Sequence, residues 1–215
     1  MARKKAANKN SQNSRNGKSK YSRYSRNETV ETREIKERFL IVCEGTKTEP
    51  NYFKNFPVPK DVIDVRGFGK NTISLVKEAL GIKQEDNDYD QVWCVFDRDS
   101  FPVKNFNEAI KYAKDNNIEV AYSNEAFELW YLLHFDYRNT AMSRTEYKKV
   151  LTKRMNKKYE KNSETIYEDL EINQTQAIQN AERLLLQYNR PNPANDNPST
   201  TVHLLVQQLN RFVRR

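Results

Sequence analysis

Two apolar runs, Phe39–Cys43 (FLIVC) and Gln91–Phe96 (QVWCVF), are continuous rather than alternating, and each ends abruptly in charge. Runs of this length, rich in β-branched and aromatic residues, predict strands buried on both faces, as in a parallel sheet. Val62–Val65 predicts a short strand between them, and Asn117–Tyr122 a fourth beyond them. The intervening segments change period. Thr46–Phe56 reads as a helix halted by Pro57 and Pro59, with Pro50 tolerated in its first turn. Ile73, Val76, Ala79 and Leu80 recur at helical spacing, behind Asn71 as N-cap and ahead of Gly81 as stop. Phe106–Asn116 is helical as well, and Ala126–His134 carries a dense aromatic and leucine run that predicts a largely buried helix. This alternation predicts an α/β fold, a mainly parallel sheet sandwiched by helices.

From Ser143 the pattern becomes helical and highly charged, with helices expected over Ser143–Tyr159, Thr175–Tyr188 and Ser199–Arg215. Val202, Leu205, Val206, Leu209 and Phe212 form one stripe on the last of these, a pattern of core or of interface. The expected organisation is a basic tail over 1–36, an α/β core over 37–142 and a helical extension over 143–215 packed on it.

Composition changes this picture mainly at the N-terminus. The net charge is +8 in 215 residues, with a pI near 9.3 and a mean hydropathy of −0.97. Residues 1–27 hold nine Lys or Arg and no acid; removing those nine from 37 leaves 28 basic against 29 acidic residues. The folded part is therefore close to neutral, and the basic pI belongs to the tail. That tail, poor in apolar residues, is expected to be disordered, either as a solubilising leader or as an electrostatic arm toward phosphates or an acidic partner. No apolar h-region and no run of membrane-spanning length occurs, so a cytoplasmic protein without membrane contact is expected. Cys43 and Cys94 lie inside the two apolar runs without a CxxC spacing and read as small buried hydrophobes. With only these two cysteines and two histidines, zinc chemistry is not expected.

The charges that end the apolar runs carry the chemistry. Glu44 follows the first run, and Asp97 and Asp99 follow the second. Open α/β sheets bind ligands outside the carboxyl ends of their strands. Carboxylates gathered there repel one another, and a divalent cation is the simplest reason to collect them. Asp97 and Asp99, two apart on an extended chain, point the same way and suit half of an octahedral Mg²⁺ shell. A turn or N-cap is the alternative reading of that pair. Gly45 allows backbone amides to approach a phosphate. Lys47 reads as a charge for a phosphate or as a solvated helix lysine. Glu49 reads as a first-turn glutamate or as a nearby ligand. Glu128, on the aromatic helix, requires a partner if buried. His134 reads as a core histidine or as a functional one. Gly67–Lys70 (GFGK) is not a phosphate-cradling loop, because Asn71 stands where Ser or Thr is needed. No GxSxG elbow or HExxH helix is present.

Four segments together, LIVCEGTKTEPNYF (Leu40–Phe53), VFDRD (Val95–Asp99), FELWYLLHF (Phe127–Phe135) and NPSTTVHLLV (Asn197–Val206), resemble the RloB family, whose fold is similar to the TOPRIM domain. The resemblance spans roughly Phe39 to the C-terminus. It implies that Glu44, Asp97 and Asp99 hold Mg²⁺ (or Mn²⁺), and that Lys47, Glu49, Glu128 and His134 occupy family motif positions. One departure is Glu125, where the family commonly has proline. The resemblance further implies a phage-defence (abortive infection) nuclease that hydrolyses phosphodiester bonds of DNA or RNA. An ABC- or AAA-type ATPase encoded nearby would control it. A non-catalytic adaptor that binds nucleic acid or the ATPase is the rival reading, and phosphoryl transfer to a small nucleotide is a third. A closed pocket over Asp97 would favour the small nucleotide; an open basic groove would favour a polynucleotide.

Overall fold

A computed structural model describes residues 37–98 and 102–213. The expected tail over 1–36, and Asp99, lie outside these described residues.

Five strands form one sheet in the order β2-β1-β3-β4-β5. They are β1 (Phe39–Cys43), β2 (Ile63–Gly67), β3 (Gln91–Asp97), β4 (Glu119–Asn124) and β5 (Ser199–Thr200). The first four are mutually parallel, in register Cys43↔Gly67, Cys43↔Val95 and Asp97↔Ser123, and β5 adds antiparallel to β4. Helices α1 (Thr48–Lys54), α2 (Thr72–Glu85), α3 (Val103–Asp115), α4 (Glu128–Leu133), α5 (Arg144–Arg154), α6 (Ile166–Leu170), α7 (Gln174–Leu185) and α8 (Val202–Asn210) surround it.

The unbroken apolar runs are explained by burial on both faces. Phe39, Ile41, Cys43, Trp93 and Val95 face one core, shared with α1, α4, α5, α6, α7 and α8. Leu40, Val42, Val92, Cys94 and Phe96 face a second core, shared with α2 and α3. With period-2 side-chain alternation and helices on both sides, no position of β1 and none of Val92–Phe96 in β3 is left for water. Both cysteines are free and buried, and burial pushes the Cys94 thiol up to about 12.

The helical stretch beyond Ser143 shares the first core with the sheet. Tyr147, Leu151, Leu170, Ala181 and Leu184 are buried in it beside Ile41 and Val95. Val202, Leu205, Val206 and Leu209 of α8 are buried there too, and the Phe212 ring meets Phe39 edge-on at 5.6 Å. The α8 stripe is core.

Several boundaries differ from the sequence expectation, each for a local reason. Asn71 caps α2 as expected, its side chain accepting from the Ser74 N–H at 3.1 Å, but the helix continues through Gly81 to Glu85. An interior glycine costs only about 1 kcal/mol, and Leu75, Val76, Ala79 and Ile82 are buried along the helix. α5 stops at Arg154 rather than Tyr159; Asn156 has φ 52, the left-handed geometry that ends helices and that Asn tolerates. The last helix begins at Val202 rather than Ser199, because Ser199 and Thr200 pair with β4 instead. Hydroxyls hold that pairing: Thr200 donates to the Tyr122 carbonyl at 2.9 Å and Thr201 to that of Val120 at 3.0 Å. The Asn124–Glu125 and Asn197–Pro198 peptides flanking this corner are both cis.

Candidate functional site

β1 is the strand at which the chain reverses direction across the sheet. It leads through α1 to β2 on one side and, by way of α2, to β3 on the other. The carboxyl ends of β1 and β3 therefore flank the crevice in which such sheets bind ligands. Glu44 and Asp97 stand at those two ends. The Glu44 N–H donates to the Val95 carbonyl at 2.8 Å, and the Asp97 N–H donates to Glu44 Oε2 at 3.2 Å. Asp97 shares strand parity with Trp93 and Val95, so its side chain enters the layer of α1, α4 and α5. Arg98, of opposite parity, turns away and donates from Nε to the Ala194 carbonyl at 2.9 Å.

Two further carboxylates reach the same place from helix starts. Glu49, second residue of α1, is 5% exposed; Glu128, first residue of α4, is 6% exposed; Asp97 is 8% exposed. A hydrogen bond from the Tyr131 hydroxyl to the Thr48 carbonyl, at 3.1 Å, ties the two helix starts together. These acids lie in one another's field. Burial first, then Glu49 and Glu128, hold the Asp97 carboxyl well above the usual range, with Arg144 opposing and Glu44 adding to the rise. Glu49 is also raised, by burial above all; its own backbone N–H and the Lys161 cation oppose, Glu128 adds, and Arg144 opposes more weakly. Among the described residues, Glu49 Oε2 and Asp97 Oδ1 are buried without a hydrogen-bond partner. Buried polar atoms are nearly always paired, so two orphan oxygens among crowded carboxylates suit a ligand that brings positive charge.

The glycines here make room. A Cβ on Gly45 would collide with the Glu49 carboxylate. The expectation that Gly45 admits a phosphate to the backbone thus has a more immediate counterpart, space for an acidic side chain. A Cβ on Gly67 would lie 2.5 Å from the Gly45 carbonyl oxygen and 2.9 Å from Thr46 Cα.

Lys47 precedes α1 and is exposed at the rim. His134 is not brought into the cluster. It follows α4, its Nδ1 lies 2.9 Å from the Trp130 carbonyl, and its ring meets Trp130 at 4.8 Å between centroids. Burial lowers its pKa to about 4 against the pull of the Trp130 and Tyr131 backbone, so it is a neutral core histidine.

Sequence reasoning missed the contribution of the C-terminal helices. Tyr159 donates its hydroxyl to Glu128 Oε1 at 3.2 Å, the partner that a buried glutamate requires. Arg144 Nη2 lies 3.5 Å from Asp97 Oδ2. Arg144 is the first residue of α5, fixed by a capping box in which Ser143 Oγ accepts from the Glu146 N–H and Glu146 accepts from that of Ser143. The S-x-x-E signature at Ser143–Glu146 is visible in the sequence and marks that helix start; nothing in the sequence aims it at Asp97.

The donors gathered here are oxygens only, the set that suits Mg²⁺ or Mn²⁺ rather than a softer metal. Among the described residues no group of three or more His, Cys, Asp or Glu is placed to hold a metal ion, and Asp99 lies outside them. Glu44 and Asp97, bonded across the crevice, with the orphan Asp97 Oδ1, fit the part of such a site that the described residues contain. A cavity of about 680 Å³ beside β2 is lined by residues that include Arg38, Lys54, Ile63 and Asp64 and by none of the four carboxylates.

The family model for RloB-like protein matches residues 39–209, a span that holds every residue of this cluster. No curated protein and no solved structure matches the chain. Among the described residues no helix is long and apolar enough to cross a membrane.

Proposed function

The chain belongs to the RloB-like family, and on that premise we propose that it is a divalent-metal-dependent nuclease, hydrolysing phosphodiester bonds of DNA or RNA. The observation that carries this reading is the carboxylate cluster at the strand crossover, with its two orphan oxygens. Glu44 and Asp97, together with Asp99 by family resemblance, are the residues that would hold Mg²⁺ or Mn²⁺. The chemistry such a cation supplies when bound is charge neutralisation at a phosphate oxygen and acidification of a water. Glu49, with its raised carboxyl, is the group able to hold a proton at a pH where an exposed glutamate does not. Arg144, already beside Asp97, offers a cation to the charge that develops on the phosphate. Lys47 at the rim supplies a second.

The phage-defence setting, and control by an ABC- or AAA-type ATPase, belong to the same proposal and rest on the family resemblance. The TOPRIM likeness supports it through the placement of Glu44 after the first strand and Asp97 at the end of the third. The adaptor reading loses its main support, because the apolar stripe of α8 is buried in the core.

The test is cleavage of labelled DNA and RNA with Mg²⁺ or Mn²⁺ by wild type, Glu44→Gln and Asp97→Asn, with and without the neighbouring ATPase. Metal-dependent cutting by wild type that both variants lose is the expected result. Absence of cutting even with the ATPase, together with absence of Mn²⁺ binding, would leave the adaptor.

A further inference from the structure

Beside the carboxylate cluster lies a cavity of about 540 Å³ whose lining includes Glu128, Arg144, Lys148, Lys158, Tyr159 and Lys161. Its position is fixed by contacts already described: Glu128 and Tyr159 join in its wall, and Arg144 reaches Asp97. Four cations meet there, against the two carboxylates of Glu128 and Glu160. The chain beyond residue 27 holds 28 basic against 29 acidic residues, so this excess is local and not a reflection of overall charge.

The cations differ in what they already do. Lys158 lies 3.4 Å from Glu160, and Arg144 engages Asp97. Lys148 and Lys161 have no ion-pair partner among the described residues; they are exposed, and Lys161 acts on Glu49 through its field. Exposed lysines with no internal partner, gathered on a concave wall next to acids, are placed for an anion from solvent. Lysine binds phosphate as a point charge without demanding bidentate geometry. A cavity of this volume holds a phosphate with its attached sugar.

We infer that this cavity is a second phosphate-binding subsite, which takes the backbone phosphate next to the scissile one and so lays a single nucleic-acid strand from Lys148 and Lys161 toward Asp97. The inference rests on the phosphodiester reading of the carboxylate cluster. It deepens that reading by naming an extended strand as the substrate. A free nucleotide offers the same phosphate chemistry without neighbouring phosphates, and it is the competing source.

The experiment measures binding without metal, so that it is independent of cleavage. The full-length chain is titrated in EDTA onto fluorescein-labelled single-stranded DNA and RNA oligonucleotides, across a series of salt concentrations. Three proteins are compared: wild type, Lys148→Ala/Lys161→Ala, and Lys104→Ala/Lys111→Ala. The last pair lies on α3, which packs on the opposite face of the sheet, and removes the same number of charges. The basic tail is common to all three and cancels. Each phosphate contact on a single strand contributes about 0.7 to the slope of log affinity against log salt. The Lys148→Ala/Lys161→Ala slope should be shallower than wild type by about 0.7, the contribution of the one phosphate the subsite takes. Between about 50 and about 200 mM salt the wild type then loses about 2.6-fold more affinity than this variant. The α3 variant should retain the wild-type slope.

An unchanged slope in Lys148→Ala/Lys161→Ala, or an equal fall in both variants, would overturn the subsite. Displacement of the oligonucleotide by ATP at equal phosphate concentration would assign the cavity to free nucleotides and overturn the strand. If the slopes behave as expected and no cleavage occurs under any metal or partner condition, the nuclease reading fails while the phosphate subsite stands.

Discussion

Asp97→Asn should stabilise the metal-free protein at neutral and alkaline pH while it removes activity. The substitution keeps the side-chain shape and deletes one charge from a buried group that also contains Glu49 and Glu128, with the half-buried Glu44 beside it. Against that relief stands the loss of the Arg144 ion pair, at 3.5 Å with the arginine side chain 36% exposed. A pair of that exposure is worth about 0–1 kcal/mol after solvent screening. Removing an unfavourable site charge typically gains about 0.5–2 kcal/mol, the familiar trade of stability against function. The net expectation is about 1 kcal/mol, which for a chain of this size is about 2–4 °C in Tm. The sign with pH follows from the raised carboxyls of Asp97 and Glu49. Unfolded values are about 3.9 and 4.3, so the stability that protonation supplies is complete below about pH 4 and is lost as pH rises through the higher folded values. The advantage of the variant should therefore vanish near pH 4 and be larger at about pH 8. Asp64, held below its usual value by Arg66 and Tyr89 despite partial burial, shifts stability the opposite way but cancels between wild type and variant. Thermal unfolding in EDTA at both pH values gives the comparison. Saturating Mg²⁺ should reverse the order, since a cation at about 100 times its Kd stabilises a binding-competent fold by about 2.7 kcal/mol. A variant less stable than wild type at pH 8, or a difference that does not depend on pH, would refute the reading of these acids as a repelling cluster.

Two further outcomes test the supports of the site. Gly67→Ala places a methyl 2.5 Å from the Gly45 carbonyl oxygen and 2.9 Å from Thr46 Cα, both backbone atoms that cannot swing aside; it should cost about 1–3 kcal/mol in denaturant melts, and by shifting the loop after β1 it should also depress any cleavage activity. Leu205→Ala, in the fully buried stripe of α8, should cost about 2–5 kcal/mol. A loss below about 0.5 kcal/mol, the ordinary range for surface positions, would place α8 on the surface and revive its reading as a docking face.

Much of the sheet was legible because β1 and β3 are buried on both sides, and double burial writes itself as an unbroken apolar run. The short β5 was not legible. Two residues carry no period, and Ser199 and Thr200 pair with β4 with the help of the Thr200 and Thr201 hydroxyls, which donate to the Tyr122 and Val120 carbonyls. Gly81 misled as a stop because a glycine inside a helix looks the same in sequence as one after it. Glu44 and Asp97 were legible as a candidate site because strand ends are where parallel sheets present side chains to ligands. Glu49 and Glu128 were read only as candidates, since their place depends on how α1 and α4 lie against the sheet. Arg144, Lys148, Tyr159 and Lys161 went unread, in a segment whose charge density resembles that of any solvated helix.

The sequence by itself determined which residues form the parallel strands, where the chain puts acid at their ends, and the family to which the chain belongs. Those are properties of local pattern: period, burial and short spacing leave their mark within a few residues. Only the tertiary structure decided that four acids from three separate segments share one largely buried place, and that the C-terminal part of the chain surrounds it with Arg144, Tyr159 and the lysine-lined cavity. The physical reason is that Coulomb fields and desolvation act through space. Residues 44 and 161 act on the same cluster because α5 and the turn after it pack over α4, an outcome of core packing that no spacing along the chain encodes.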